Sequence, residues 1–362
     1  TYLFLDSLFA EYLGGEDPVF RGKEVHIGTD EYDNSDPNVV EKFRFFTDYY
    51  IKYVEGFGKK AVAWGALTHA RGDLPVKSDE VLLDIWYNGY ADPFEMAELG
   101  FGLVNVACSQ LYIIPLTALY YHDYLNIDWA PYMFDDRIFS RNDRRVKGGM
   151  FAVWNDYIGN GITFKDIHHR AYPAMQTLSL KMWTGAVDDL SFARFDSCRR
   201  ALSEAPGVNI GAKVKTMDGK VLQVSKLKRN QKLLIEEVGY DYEVAFDFTA
   251  KSADKGSVLF KSSNAILYQS SPKSGKLAFW SDGYLNEFDY MFPIGQRVQI
   301  VIKGDHTSTS LYIDGKLHQT LDKKILYKIG EEVVYYQSTL VFPLAFTGNF
   351  SGQLLNLKVL QK

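Results

Sequence analysis

Between residues 24 and 154 one pattern recurs five times: a short, nearly continuous apolar run followed by a polar or helical stretch. The runs are Glu24–Ile27, Ala61–Trp64, Val81–Trp86, Leu103–Cys108 and Gly149–Trp154. Strands that read as unbroken apolar runs are buried on both faces, as in parallel sheets flanked by helices. The intervening helices are predicted near Val39–Phe57, Pro93–Leu99 and Tyr172–Trp183; in the first, Val39, Val40, Phe43, Phe46 and Tyr50 recur at helical spacing. A (β/α)8 TIM barrel needs eight such strands over roughly 250 residues. Residues 1–186 are therefore predicted to be the C-terminal part of a (β/α)8 barrel that lacks its N-terminal strands. The opening Thr-Tyr-Leu-Phe-Leu-Asp reads as the inside of a helix. The chain is accordingly expected to be a piece of a longer polypeptide, with any signal peptide or anchor outside it.

A helix around Leu190–Ser203 and the segment Glu204-Ala-Pro-Gly207 make residues 187–207 a helical linker. From about residue 208 the period changes to two. Short alternating strands such as Tyr242–Phe248, Ser257–Phe260, Val298–Ile302 and Ser310–Ile313 are separated by the turn signals Asp218-Gly, Asp282-Gly and Asp314-Gly. Residues 208–362 are predicted to be an all-β sandwich domain. The stretch Arg297-Val-Gln-Ile-Val-Ile, with Ser310-Leu-Tyr-Ile-Asp-Gly-Lys, resembles laminin-G or concanavalin-like modules.

Bulk properties exclude several classes. The net charge is −5, with both signs interspersed, which speaks against a sequence-independent grip on phosphate; nucleic acid is not expected as a partner. No apolar stretch reaches the length of a membrane span. The two cysteines, Cys108 and Cys198, provide no disulfide framework and leave the redox compartment open. Aromatic residues make up 15% of the chain, which suits sugar-stacking surfaces and aromatic cores alike.

Asp30 and Glu31 follow the first predicted strand. Residues at the C-terminal ends of barrel strands line the active site. A glycosidase acid must stay protonated near neutral pH, and a neighbouring carboxylate favours that by like-charge repulsion. An Asp-Glu pair alone reads equally as a helix cap and a first-turn acid. The whole segment His26-x-Gly28-x-Asp30-Glu31 is more specific. It resembles the His-x-Gly-Gly-Asp-Glu segment of family 20 glycoside hydrolases, the β-N-acetylhexosaminidases and lacto-N-biosidases, with Thr29 in place of the second glycine. Trp64, Trp86 and Trp154 end successive predicted strands, where the family carries aromatic platforms. Trp154-Asn-Asp156 resembles the family's Trp-x-acid element, and Tyr112 stands near its acetamido-binding tyrosine, with Tyr120 and Tyr121 as competitors. Arg170-Ala-Tyr-Pro173 with Met182-Trp183 resembles the last barrel helix. The likeness covers about half of the chain.

The resemblance implies substrate-assisted, retaining hydrolysis of terminal N-acetylhexosamine (GlcNAc or GalNAc) with no cofactor and no metal. Glu31 is implied as acid and base, and Asp30 as the group orienting the 2-acetamido substituent. Trp64, Trp86, Tyr112, Trp154 and Asp156 are the implied substrate contacts. His26 either orients the acids from behind or satisfies backbone groups. The family's first-strand Arg and third-strand Asp and His have no counterpart in residues 1–24, so a separate N-terminal part of the barrel is the expected partner and the chain alone is expected to have little activity. An extracellular or cell-surface location follows by analogy. Two alternatives stand: a lacto-N-biosidase, for which Asp156, one methylene shorter than Glu, leaves room beside the sugar, and a non-catalytic glycan-binding or adhesion protein. Arg71-Gly72-Asp73 is set aside as chance, His168-His169 because adjacent helix residues point about 100° apart and do not easily share an ion, and Asn349-Phe-Ser351 because a formal glycosylation acceptor matters only in a eukaryotic secretory host. Trp280, Tyr284 and Tyr290 are read as core and surface packing rather than as a sugar-stacking face.

Overall fold

A computed structural model describes residues 2–115, 143–154, 156, 164–184, 190–202, 209, 212–214, 216, 218–281, 283–305, 308–322, 324–329, 332–336 and 341–361. Tyr120, Tyr121, Asn155, the segment 204–207 and Asp282, all named above, lie outside the described residues. The chain divides into two compact units. One comprises Thr1–Ile113, Tyr124–Trp154 and Pro173–Arg200; the other comprises Ile114–Asp123, Asn155–Tyr172 and Ala201–Lys362.

The first unit opens with helix α1 (Tyr2–Leu13), as the opening residues predict. Strands β1 (Glu24–His26), β2 (Lys60–Trp64), β3 (Leu82–Ile85) and β4 (Gly102–Asn105) then pair side by side, all parallel. Helices α2 (Pro37–Glu55) and α3 (Pro93–Glu98) fall between them. Each of these helices has an aspartate N-cap and a proline in its first turn: Asp36 accepts from Asn38 N, and Asp92 from Phe94 N and Glu95 N. The caps satisfy amides with no helical partner, and proline gives up none that the helix needs. Val40, Ile51 and Val54 of α2 join Val25, Ala61, Ala63, Leu83, Ile85 and Leu103 in one apolar cluster. Beyond β4 come the short helix α4 (Cys108–Leu111) and strand β5 (Tyr112–Ile113).

The fifth predicted strand requires a correction. The fifth strand of the sheet is β6 (Val146–Gly149), beside β4, and not Gly149–Trp154. Ala152–Val153 forms a separate two-residue strand, β7, parallel to β5. The run Phe151-Ala-Val-Trp154 is the more apolar segment, yet the glycine-bearing Val146–Gly149 takes the place in the sheet. A Cβ on Gly149 would fall 3.3 Å from Leu178 Cδ1 of helix α5 (Phe164–Thr184), which therefore packs closely over the bare glycine. The described strands form an open five-stranded parallel sheet; no closed barrel is seen among them. Helix α6 (Phe192–Ala201) follows.

The second unit is antiparallel. Its six-stranded sheet contains Tyr242–Ala250 at the centre, paired with Arg297–Gly304 on one side and the final strand Gly352–Gln361 on the other. A five-stranded sheet contains Ser257–Lys261, Ala265–Ser270, Ala278–Ser281 and Tyr284–Glu287. Tyr242–Ala250 alternates buried and half-buried at every position, the period-two pattern its sequence predicts. Phe246, Phe248, Ile300 and Leu354 from one sheet and Leu259, Phe260, Leu267 and Phe279 from the other enter a single apolar cluster. Trp280 is in register with Ile266 and Leu285, whereas Tyr284 pairs with Ser281, the next position along, and so points to the opposite face. Tyr290 packs edge-on against Phe292 and His318, and burial pushes its phenol up to about 12. These three aromatics therefore do not make one stacking face.

Candidate functional site

The loop that leaves β1 carries the acid pair. Ile27 N donates to Val62 O and Trp64 N to Gly28 O, at 2.8 and 2.9 Å, so the loop is stitched to β2 past the end of the strand. Gly28 and Thr29 then take φ of +87° and +66°. Glycine adopts that conformation freely; threonine does so at a strain of roughly 1–2 kcal/mol. Thr29 is held there by its hydroxyl, which donates to Gly28 O at 2.5 Å and approaches Trp64 O at 3.4 Å. This turn is the physical reason a second glycine suits the position, and it releases Asp30 and Glu31 as exposed carboxylates at the strand end.

His26 sits beneath the turn. Its Nδ1 accepts the Gly28 N–H at 3.0 Å, so the proton of the neutral ring is on Nε2. That nitrogen faces Asp84 Oδ2 at 3.3 Å. Asp84 is on β3 and only 4% exposed. A buried carboxylate needs a donor, and His26 supplies one while its other nitrogen fixes the loop. Asp84 is the residue that sequence reasoning missed. Its signal is a lone acid inside the otherwise apolar run Val81-Leu-Leu-Asp-Ile-Trp86. Asn105, at the end of β4, is a second: it is buried, its Oδ1 accepts from Ala107 N, and its Nδ2 finds no acceptor among the described residues.

The predicted aromatics fall into two groups. In the first, His26 lies 5.4 Å from Trp64, Trp64 lies 6.1 Å from Trp154, and Trp154 meets Tyr112 edge-on at 5.6 Å, all between ring centroids. Tyr112 is 7% exposed; Trp64 and Trp154 are half-buried. The second group begins at Tyr32, immediately after the acids. Tyr32 stacks on Phe43 at 4.0 Å and meets His69, which stacks on Tyr90 at 4.2 Å, and Tyr90 lies 4.8 Å from Trp86. Trp86 thus packs against Tyr90, while Trp64 and Trp154 pack against each other. Asp30 and Glu31 bridge the groups in sequence, His26 preceding them and Tyr32 following. Burial, then the charges of Glu31 and Asp30, raise the Tyr90 phenol above its ordinary value, so both carboxylates lie within electrostatic reach of that ring. The indole N–H groups of Trp86 and Trp154 are buried with no acceptor among the described residues. Asp156 is exposed in a turn. His168 and His169, adjacent on α5, stack on Tyr172 and pack edge-on against Tyr240 respectively.

Comparison with protein-family models and with curated proteins gives no match. Among solved structures, a β-N-acetylhexosaminidase from Bacteroides fragilis is 21% identical, matched over 56% of this chain and 43% of its own, with a TM-score of 0.43. A glycoside hydrolase family 20 β-N-acetylglucosaminidase is 20% identical over 54% of this chain and 40% of its own, at 0.39. The CBM40 of a Ruminococcus gnavus IT-sialidase, bound to α2,3-sialyllactose, is 16% identical over 40% of this chain and 93% of its own, at 0.24. The chain spans about two fifths of the length of the first two. Likenesses this distant carry no function by themselves, and the side chains around Asp30 and Glu31 must supply it.

Proposed function

We propose that the first unit carries the acid end of a glycoside hydrolase site that removes terminal N-acetylhexosamine with help from the substrate's own acetamido group. One observation carries this reading: two exposed carboxylates leave a parallel strand on a left-handed Gly28–Thr29 turn, with the ring-packed His26 before them in sequence and Tyr32 after. In the proposed reaction Glu31 protonates the leaving oxygen as the acetamido carbonyl oxygen bonds to the anomeric carbon, and the glycosidic bond breaks. Asp30 accepts the acetamido N–H and offsets the positive charge of the resulting oxazolinium ion. Glu31 then takes a proton from the water that opens the ring, and configuration is retained. Tyr112 donates to the acetamido oxygen, and Trp64, Trp86 and Trp154 enclose the methyl group. His26, tied to Asp84, keeps the turn in place.

The same reading treats residues 1–186 as a segment of a (β/α)8 barrel and the antiparallel sheets as a sandwich. Among the described residues β1 pairs only with β2, and Leu3 and Phe4 of α1 are 86% and 71% exposed. An open parallel edge, together with bare apolar side chains on α1, suits a further β/α unit, supplied by the rest of a barrel. A glycan on a cell surface or outside the cell is the proposed setting; no helix among the described residues is long and apolar enough to cross a membrane.

The test is hydrolysis of p-nitrophenyl N-acetylglucosaminide, with p-nitrophenyl lacto-N-bioside alongside. Glu31→Gln is expected to lower kcat by about 10²–10⁴-fold, least for the best leaving groups. Turnover that survives the substitution for every leaving group sinks the proposal. A strong preference for the bioside favours the disaccharide-releasing variant.

A further inference from the structure

Asn34 and His69 have no role in the reaction proposed above, yet they close the loop that bears the acids. On its incoming side that loop is tied to β2 through Ile27, Gly28 and Trp64. On its outgoing side, among the described residues, no backbone–backbone hydrogen bond holds residues 32–35 before α2 begins. Side chains hold them instead. Tyr32 stacks on Phe43 of α2 at 4.0 Å. Asn34, the third residue after Glu31, reaches His69 in the loop that follows β2, with its Nδ2 at 3.1 Å from both the ring Nδ1 and the backbone oxygen of His69. A carbonyl oxygen can only accept, so the amide nitrogen of Asn34 faces it, and Nδ1 accepts the second N–H. The neutral His69 ring then carries its proton on Nε2.

His69 is itself fixed from several directions. Its N–H donates to Tyr90 O at 3.0 Å, and its ring stacks on Tyr90 at 4.2 Å and meets Tyr32 edge-on at 5.7 Å. The chain just beyond it is bound to α2: Arg44 donates to Ala70 O and Leu74 O, and Glu41 accepts from Asp73 N and Leu74 N. A well-anchored loop thus lends its order to an exposed one. An exposed hydrogen bond adds little to stability, because water competes for the same groups. What it fixes is direction. With the Gly28–Thr29 turn anchored before the acids and Tyr32 and Asn34 anchored after them, Asp30 and Glu31 lie on a short arc held at both ends. We infer that the Asn34–His69 clamp is a positioning device for the acid pair, holding Glu31 ready for proton transfer before the substrate arrives. Such a device acts on kcat more than on binding, since the acid does its work in the transition state. This inference rests on the proposed reading of Asp30 and Glu31.

Hydrolysis of p-nitrophenyl N-acetylglucosaminide by the full chain and its variants tests it, with amide exchange of residues 28–35 read alongside. Asn34→Ala, Asn34→Asp and His69→Phe are each expected to lower kcat by about 10- to 100-fold while KM stays within about threefold. Aspartate is as large as asparagine but brings acceptors where the His69 oxygen needs a donor. Phenylalanine keeps the stack on Tyr90 and removes Nδ1. His69→Asn gives up the stack but restores an acceptor at the δ position, and it is expected to recover part of the loss. Asn34→Ala and His69→Phe combined should cost no more than the worse of the two alone, because both break one device. Exchange in residues 28–35 should quicken in the same variants with the urea midpoint of the whole chain unchanged. Quickened exchange with the parent's kcat makes the clamp structural only and overturns the inference, as do losses that add in full or exchange that does not quicken. In each of those cases the acid-pair reading stands. Parent turnover that Glu31→Gln leaves untouched overturns that reading and this inference with it.

Discussion

Thr29 concentrates the strain of the site in one residue, because its φ of +66° is a conformation that β-branched side chains avoid. Thr29→Gly exchanges that strain for a more flexible unfolded chain, and its unfolding free energy in urea is expected to stay within about 1 kcal/mol of the parent. Thr29→Val keeps the branch but loses the hydroxyl bonds to Gly28 O and Trp64 O, and a loss of about 1–2 kcal/mol is expected in the same measurement. Asp84→Ala and His26→Ala are expected to lower kcat by about 10–100-fold with a smaller change in KM, while Asp84→Asn recovers part of the loss by still accepting from Nε2. A purely structural pair would shift the melting temperature without separating Asn from Ala in kcat. At Asp143 the Arg145 side chain and amide hold the carboxyl down at about 2, against 3.8 ordinarily. A lowered folded value means that its contribution is complete above 3.8 and is lost as pH falls through about 2. Carboxyl NMR titration should find that midpoint in the parent and a return toward 3.8 in Arg145→Ala.

At the scale of elements, caps and packing decide the boundaries. Asp36→Ala removes the acceptor for Asn38 N at 2.8 Å, and a loss of about 1 kcal/mol in chemical unfolding is expected. The first four strands and their helices were legible because apolar runs and 3.6-residue spacing are local signals. The fifth strand was not. Val146-Lys-Gly-Gly149 is poor in apolar residues, and its pairing with β4 joins segments about forty positions apart, which no local pattern records. Similarly, the segment Val25–Glu31 announced its acids, but the hold of Asp84 on His26 spans 58 positions of sequence and was invisible from either end. The sequence also grouped Trp86 with Trp64 and Trp154 by their shared strand-end position. That Trp86 packs on Tyr90, four residues on, was not legible from that position alone.

The whole molecule rests on separate cores. Ile51 and Val54 belong to one apolar cluster, Phe246 and Phe248 to another, each within its own unit. Phe248→Ala is expected to cost its unit about 3–5 kcal/mol, and Ile51→Ala about 2–5 kcal/mol in the other. Hydrogen exchange read by mass spectrometry should show faster exchange in Tyr242–Ala250 for the first variant and in β2 and β3 for the second. Acceleration of both regions by either substitution would contradict independent cores.

The order in which strands meet gives the two units different histories during synthesis. In the parallel sheet each strand from β1 to β4 pairs with the one made just before it, so the sheet can grow as the ribosome delivers it. The antiparallel sheet has no such freedom. Ala245 in its central strand pairs with Lys358, and Val224 at its edge pairs with Leu357, so the last ten-residue strand joins partners made more than a hundred residues earlier. Until Gly352–Gln361 emerges, Tyr242–Ala250 has one open edge and Lys220–Leu227 has no neighbour in its sheet. Pairings of such long range close slowly and leave sticky edges exposed meanwhile. A nascent chain stalled before Gly352 would carry all five strands of the parallel sheet and an unfinished antiparallel one, and there the need for a chaperone would fall.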